Sequence, residues 1–375
     1  MVGGGQGAFI GAVHRMAARL DDRFELVAGA FSSDASRGAA SACEFHVGPD
    51  RSYPDYRTMA EREAARTDGI DAVAIVTPNH LHYGPARAFL DAGIHVLCEK
   101  PMTTTLAQAE DLVAAVKKSG CVFGLAHTFS CYPMVRHARA MLSAGELGPI
   151  RIIQVEYPQE WLSTALEATG NKQAEWRTDP RRSGPGGCVG DIGTHAIHLA
   201  EFVTGLQCAA LAAQLTTFVP GRRLDDDASM LLRFTNGARG SLWASQVSIG
   251  HENGLRLRVY GERASLEWLQ EQPNQLRVAR LGEPPFMISR GSSGAGPEAS
   301  MATRVPAGHP EGYIEAFAQL YRDFASLIES RQRGKAVDPR HPLPTAVDGL
   351  RGVRFIEAAI ASSRDDAAWI SLPIE

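Results

Sequence analysis

The chain has 375 residues, 44% hydrophobic and 21% charged, with a formal net charge of −4. That length favours two domains of ordinary size, and the composition is that of a globular protein able to bury sizeable cores. No run of Lys or Arg stands out, which excludes the basic stripe of a nucleic-acid binder, and no apolar run approaches the ~20 residues of a membrane span. The cysteines Cys43, Cys98, Cys121, Cys131, Cys188 and Cys208 form no CxxC and no short even framework. They point to reduced thiols in a cytoplasmic protein rather than to a disulfide scaffold or a structural zinc. The N-terminus lacks a basic start, an apolar stretch and a cleavage site, which argues against export.

From residue 1 to about 128, short apolar runs alternate with helical patterns. Phe9, Ile10, Val13, Met16, Ala17 and Leu20 fall on one helical face, and residues 24–31 read as a strand. Residues 71–78 predict a second buried strand, 83–93 a helix closed by glycine, and 95–101 a further strand. Residues 105–120 predict an amphipathic helix with lysines in its last turn and Gly120 at its end, and 122–128 one more strand. Near-continuous apolar strands alternating with helices predict a parallel sheet covered on both faces, over residues 1–130.

After a bridging helix over 133–148 the pattern changes. Residues 151–161, 209–219, 228–234, 238–248, 255–260, 264–268 and 275–281 all read as strands. Two pairs are joined by short turns, Thr235-Asn236-Gly237 and Gly261-Glu262-Arg263, which is hairpin chemistry. Residues 131–375 therefore predict an α+β domain with a large, mostly antiparallel open sheet. Residues 289–310 are rich in Gly, Ser, Ala and Pro and read as a mobile loop. Helices over 313–331 and 345–363 close the chain, and there is no internal repeat.

The run Gly3-Gly4-Gly5-Gln6-Gly7-Ala8-Phe9-Ile10-Gly11 leads directly into a helix. A dinucleotide pyrophosphate needs bare backbone at a helix N-terminus, where free N–H groups and the dipole favour anions. Two registers fit: Gly3-x-Gly5-x-x-Ala8, or a longer loop ending at Gly11. Only Met1 and Val2 precede the glycines, so the first strand looks truncated and a start a few residues upstream is expected. The next strand ends in Ser32-Ser33-Asp34, with Arg37 three positions on. An acidic residue at such a tip suits the ribose of NAD, whereas small hydroxyls and an arginine suit the 2′-phosphate of NADP. Ser32, Ser33 and Arg37 lean toward NADP, and Asp34 keeps NAD open.

Thr77-Pro78-Asn79-His80-Leu81-His82, Glu99-Lys100-Pro101 and Gly186-Gly187-Cys188-Val189-Gly190-Asp191-Ile192-Gly193-Thr194-His195 follow one another along the chain. In this order the sequence resembles the glucose–fructose oxidoreductase / inositol dehydrogenase family over nearly its whole length. The resemblance implies an N-terminal Rossmann domain binding NAD or NADP, then a domain whose open sheet shapes the substrate site and often an oligomer interface, so that a homodimer or homotetramer is expected. It also implies roles. Lys100 would sit beside the nicotinamide and hold the reacting hydroxyl, His195 would exchange its proton, and Asp191 would orient the substrate. Thr77, Pro78, Asn79, His82 and Glu99 would join Gly3, Gly5, Gln6, Ala8, Phe9 and Ile10 around the cofactor. Trp176 and Arg177 match a segment whose arginine reaches the cofactor from the second domain.

The chemistry agrees with those roles. Removing hydride from a secondary alcohol requires a base for the hydroxyl proton, and histidine titrates near neutral pH. A lysine ammonium stabilises a developing alkoxide. Asp191 and His195 are four apart and share a helical face. His195 and His198 with Asp191 also allow a metal reading, but the cysteines offer no support and the family generally needs none, so no metal is expected. His127, Tyr132, Tyr157, His198, His251 and His309, with Asn253, are candidates for hydrogen bonding and stacking to a sugar. In the family the position of His198 is often acidic. The 289–310 loop is a candidate lid that excludes water.

Three functions follow. The first is an NAD(P)-dependent dehydrogenase or reductase of a sugar, glycoside or cyclic polyol. The second is a lyase or glycosidase that uses tightly held nicotinamide as a transient oxidant. The third is a nicotinamide-sensing regulator, against which intact Lys100, Asp191 and His195 argue.

Overall fold

The computed structural model describes residues 1–336 and 338–374. The chain folds into two compact units, Met1–His127 with Tyr313–Arg351, and Thr128–Gly312 with the chain from Gly352 onward.

The first unit is built on four parallel strands, β1 (Val2–Gly3), β2 (Ala72–Val76), β3 (His95–Cys98) and β4 (Phe123–Leu125), in that spatial order. β3 and β4 are almost wholly buried, as apolar strands of a covered parallel sheet must be. Residues 24–31 do not form a regular strand. They make only isolated parallel bridges, Ala30 to Val2 and Gly29 to Ser52. β1 offers two residues to pair with, and Phe31 instead turns into a core with Met1, Ala42, Phe45, Val47 and Val76. The helix Leu106–Ser119 follows its sequence signals: the Thr105 side chain accepts from the Gln108 amide, and Gly120 ends it in the left-handed region at φ 66°. The helix Tyr313–Gln332 comes from far along the chain but packs on the first helix, Phe9–Leu20. Phe24 stacks on Phe324 with centroids 5.9 Å apart and meets Tyr321 edge-on.

The second unit carries nine strands: β5 (Ile150–Pro158), β6 (Cys208–Thr216), β7 (Asp227–Phe234), β8 (Arg239–Ser245), β9 (Arg256–Gly261), β10 (Ala264–Leu269), β11 (Gln275–Arg280), β12 (Phe286–Ser289) and β13 (Ile370–Ser371). Their spatial order is β12-β11-β10-β9-β5-β8-β7-β6-β13. Exposed and buried residues alternate along β7, the period-2 signature of a sheet with one covered face. Both predicted hairpins form, β7 with β8 and β9 with β10. One pairing departs from the antiparallel rule: central β5 runs parallel to β8. The chain leaves β5 through a long helical excursion rather than a tight turn, so it returns free to pair in either sense. β12 and β13 escape the sequence reading because one is short and follows Pro284-Pro285 and the other is two residues long.

Residues 289–310 are not a loose loop. They contain a helix, Pro297–Ala302, whose Ala299 and Ala302 are completely buried. Buried Arg290 clamps the segment, donating to the carbonyls of Val305 (2.7 Å), Pro306 (3.2 Å) and His309 and to the Glu311 carboxylate (2.9 Å). Gly/Ser/Pro composition signals the absence of repetitive pattern, and one buried guanidinium restores order that composition does not show.

Candidate active site

In the first unit the glycine loop is closely packed, and a Cβ on Gly5 would lie 2.9 Å from the Phe31 carbonyl oxygen. Gly3 and Gly4 have φ of 76° and 70°, which an L side chain rarely adopts. A Cβ on Gly11 would lie 2.5 Å from the Gly4 Cα, so Gly11 is the glycine that lets the helix approach the loop. The helix begins at Phe9, and Ala8 supplies no side-chain cap. The amides of its first turn are therefore not claimed by a capping side chain, which fits a pyrophosphate. Gln6 and Phe9 are exposed beside them. At the next strand tip Ser33, Asp34 and Arg37 are exposed and Ser32 is half-buried. The Asp34 carboxylate accepts from the Arg37 amide at 2.8 Å and so caps the helix Ala35–Glu44.

Lys100 follows β3 in a turn whose neighbours are buried. The Glu99 carboxylate accepts from the Lys100 amide at 3.1 Å, and its other oxygen lies 2.8 Å from Nε2 of His14. Burial alone would raise the Glu99 carboxyl, but His14, and then the charges of Lys100 and His82, hold it below its ordinary value. Asn79 is buried, while Thr77 and Pro78 are half-buried. The sequence reading places His82 along the nicotinamide side; the structure buries it completely and sets both ring nitrogens 2.8 Å from carbonyl oxygens, of Pro101 and of Thr77. Its ring holds the backbone after β2 and β3. The Glu99 carboxylate is engaged by His14 of the first helix and by the Lys100 amide.

In the second unit Asp191 lies in a π-helical turn, Val189–Gly193, that runs into the α-helix Thr194–Thr204. Over residues 188–200 only Asp191 and His195 are not buried. One Asp191 oxygen accepts from Gln246 Nε2 at 2.9 Å and from Arg177 Nε at 3.2 Å. The Arg177 guanidinium also donates to Gln173 Oε1 at 2.7 Å and lies 4.2 Å over the Trp176 ring and 5.7 Å from that of Trp161. His195 meets Phe129 edge-on at 4.8 Å and Tyr157 at 6.4 Å.

The start of this helix is anchored by a residue the sequence reading missed. Asp225 accepts from the amides of Gly187 and Val189, both at 2.7 Å. A Cβ on Gly187 would lie 2.1 Å from the Asp225 carbonyl oxygen, so glycine is required for that approach. Burial pushes the Asp225 carboxyl up to about 6, against the lowering effect of those amides. Capping thus belongs to Asp225, and the Asp191 carboxylate is left to Gln246 and Arg177. The signal available in the sequence was the run Asp225-Asp226-Asp227 ahead of an apolar strand. Gln246 carried no signal, because its partner lies 55 positions away.

The remaining candidates scatter. Tyr132 is a core residue between Phe129 and Trp268, with centroids at 6.3 and 5.3 Å. His127 is buried, and His198 is buried with its ring stacked on Phe202. Tyr157 donates to Asn253 at 2.7 Å, which places this pair beside the His195 cluster. His251 is exposed and meets Trp243 edge-on, and His309 is exposed with its carbonyl held by Arg290.

Residues 1–127 match an oxidoreductase family with an NAD-binding Rossmann fold, which defines the class: a nicotinamide-binding oxidoreductase. Residues 135–267 match the GFO/IDH/MocA C-terminal domain. The chain belongs to the GFO/IDH/MocA family of oxidoreductases. It is 48% identical to an oxidoreductase from Sinorhizobium meliloti, with a TM-score of 0.90 over 99% of this chain and 98% of that one. An inositol dehydrogenase homolog from Azotobacter vinelandii, crystallised with NAD+, is 39% identical with a TM-score of 0.95, over 99% and 96% of the two chains. An inositol dehydrogenase homolog from the same organism has also been crystallised with NADH and myo-inositol. An uncharacterized oxidoreductase, YfiI of Bacillus subtilis (strain 168), is 35% identical over 99% of this chain and 95% of its own.

Proposed function

We propose that the protein transfers a hydride between a nicotinamide and a secondary hydroxyl or ketone of a sugar, glycoside or cyclic polyol. The observation that carries this reading is that only Asp191 and His195 are half-buried on an otherwise buried helix start, in a chain related to a protein crystallised with NADH and myo-inositol. A hydroxylated ring suits what surrounds them: carboxylate, guanidinium and amide groups for its hydroxyls, and aromatic faces at Phe129, Tyr157 and Trp161.

A nicotinamide dinucleotide with its pyrophosphate at the loop from Gly3 to Ile10 would supply the hydride acceptor or donor. In the oxidising direction His195 takes the hydroxyl proton as the hydride departs, and Lys100 stabilises the alkoxide with its ammonium. Asp191 is fixed by Gln246 and Arg177 and orients the substrate beside the imidazole. Ser32 and Arg37 lean the cofactor preference toward NADP, since Asp34 is committed to capping. The open face of the nine-stranded sheet, with Leu231, Ile152, Tyr260 and Met287 exposed, suits a homo-oligomer.

The test is a panel of aldoses, glycosides and cyclic polyols assayed with NAD and with NADP. Net formation of reduced nicotinamide is the expected result. Turnover of a glycoside without net reduction would replace this reading by a lyase or glycosidase that recycles its cofactor.

A further inference from the structure

We propose that His14 and His82 are positioning residues for Lys100, gripping its turn from its two ends; the catalytic part of this inference rests on the function proposed above. Neither histidine touches solvent. His14 approaches from the first helix. Its Nε2 lies 2.8 Å from Glu99 Oε1, and its Nδ1 lies 2.8 Å from the Tyr321 hydroxyl. The second Glu99 oxygen accepts the Lys100 amide. A side-chain and main-chain line thus runs from Tyr321 through His14 and Glu99 to the nitrogen of Lys100. On the far side His82 meets the carbonyl of Pro101, the residue after Lys100, and that of Thr77, the residue after β2.

The two ends differ chemically in a useful way. Glu99 can only accept when ionised, so His14 must present an N–H to it, and the Tyr321 hydroxyl completes the other ring nitrogen. His82 faces two carbonyls, which also only accept, so its ring is a donor to both only when doubly protonated and a donor to one when neutral. In either state it ties the segment after β2 to the segment after β3. A flexible lysine stem can place its ammonium only as well as its main chain is placed, and misplacement of a catalytic group by about 1 Å costs on the order of a hundredfold in rate. Neither histidine is needed for the pyrophosphate or the sugar in this scheme, so each should act on turnover and not on binding.

The test is a set of double-mutant cycles on the full chain. His14→Leu and His82→Leu are expected to lower kcat by about tenfold to a hundredfold, with KM for cofactor and substrate within about threefold of wild type. His14→Gln, which can still donate to Glu99, should recover most of the loss. Combined with Lys100→Met, either histidine substitution should cost nothing further, because there is no longer an ammonium to position. Losses that multiply with that of Lys100→Met, or that appear in KM alone, overturn the proposal. A second readout does not need turnover. Amide hydrogen exchange of the segment around Lys100 should speed up in the leucine variants, or in His14→Gln and His82→Gln to a lesser degree where a leucine variant fails to fold. Unchanged protection overturns the clamp even if the wild type proves inactive on every polyol, a result that would instead count against the proposed function.

Discussion

Two carboxylates, Glu99 buried and Asp225 half-buried, hold the two turns that carry the proposed chemistry, and they are held in opposite electrostatic senses. Burial works against the charge of Glu99, but an imidazole against one oxygen, with lysine and histidine charges nearby, keeps its carboxyl below the ordinary value. Burial lifts Asp225 to about 6; two main-chain amides oppose the rise, and the neighbouring charge of Asp226 adds to it. Desolvation alone therefore does not decide ionisation; the companion does. The consequence is a difference in pH response. Stability from Glu99 is present above its unfolded value and is lost as pH falls through the lowered folded value. Stability from Asp225 is present below its unfolded value of 3.8 and is lost as pH rises through about 6.

The largest effect expected in either region is on the proposed reacting groups themselves. Lys100→Met and His195→Asn should each lower kcat by about 10²–10⁴-fold, the usual range for losing a positioned acid or base. Steady-state kinetics with the best polyol of the panel decides it. A variant that stays within about threefold of wild type would strip that residue of its proposed role.

The contrast between carboxylates is broken or sharpened by Asp225→Asn. Asparagine removes the costly charge, but its NH2 now faces one of the two amides. The stability difference between variant and wild type should therefore move in favour of the variant by about 3 kcal/mol as pH rises from about 4 to above 6, taking about two units at 1.36 kcal/mol each. Denaturant melts across that window measure it. A difference that does not vary with pH would mean that Asp225 titrates normally. At fixed pH the unpaired amide should loosen the turn and lower kcat by roughly tenfold.

A smaller effect is expected at Gln246. Gln246→Leu removes a donor to the Asp191 oxygen that Arg177 also binds. At about 1–2 kcal/mol, kcat/KM should fall roughly five- to thirtyfold, mostly through KM for the substrate. A normal KM with a depressed kcat would show that the pair serves the imidazole and not the substrate.

These expectations also mark where sequence reading stops. The alternation of β7 and the hairpin at Asn236-Gly237 are legible because side-chain period and turn chemistry are local. Lys100, Asp191 and His195 stand out as candidates because each sits in a contiguous motif. The groups that hold them are not. Asp225 lies 36 and 38 positions from the amides it caps, and Tyr321 lies 307 from His14. No periodicity encodes a hydrogen bond closed only by the tertiary fold. Residues 289–310 fail for a related reason, since their order comes from one arginine and not from repeating pattern. The residues 24–31 are misread because a strand needs a partner as well as a propensity, and β1 supplies two residues.

The smallest effect concerns the cofactor's adenosine end. Asp34 is the only carboxylate in the sequence from Ser32 to Arg37, and its Oδ1 is engaged by the Arg37 amide. A ribose 2′-hydroxyl would have to compete with that cap, whereas a 2′-phosphate could take the exposed Arg37 guanidinium, whose Nη2 lies 3.5 Å from Ser32 Oγ. Because the site is exposed, the ion pair is screened and worth only about 1 kcal/mol. Arg37→Ala should therefore lower the ratio of NADP to NAD affinity by about fivefold at low salt and by less at high salt, read from nicotinamide fluorescence titrations. An unchanged ratio would remove Arg37 from cofactor selection. A wild type that binds NAD much more tightly than NADP would show that the Asp34 carboxylate leaves its cap for the ribose.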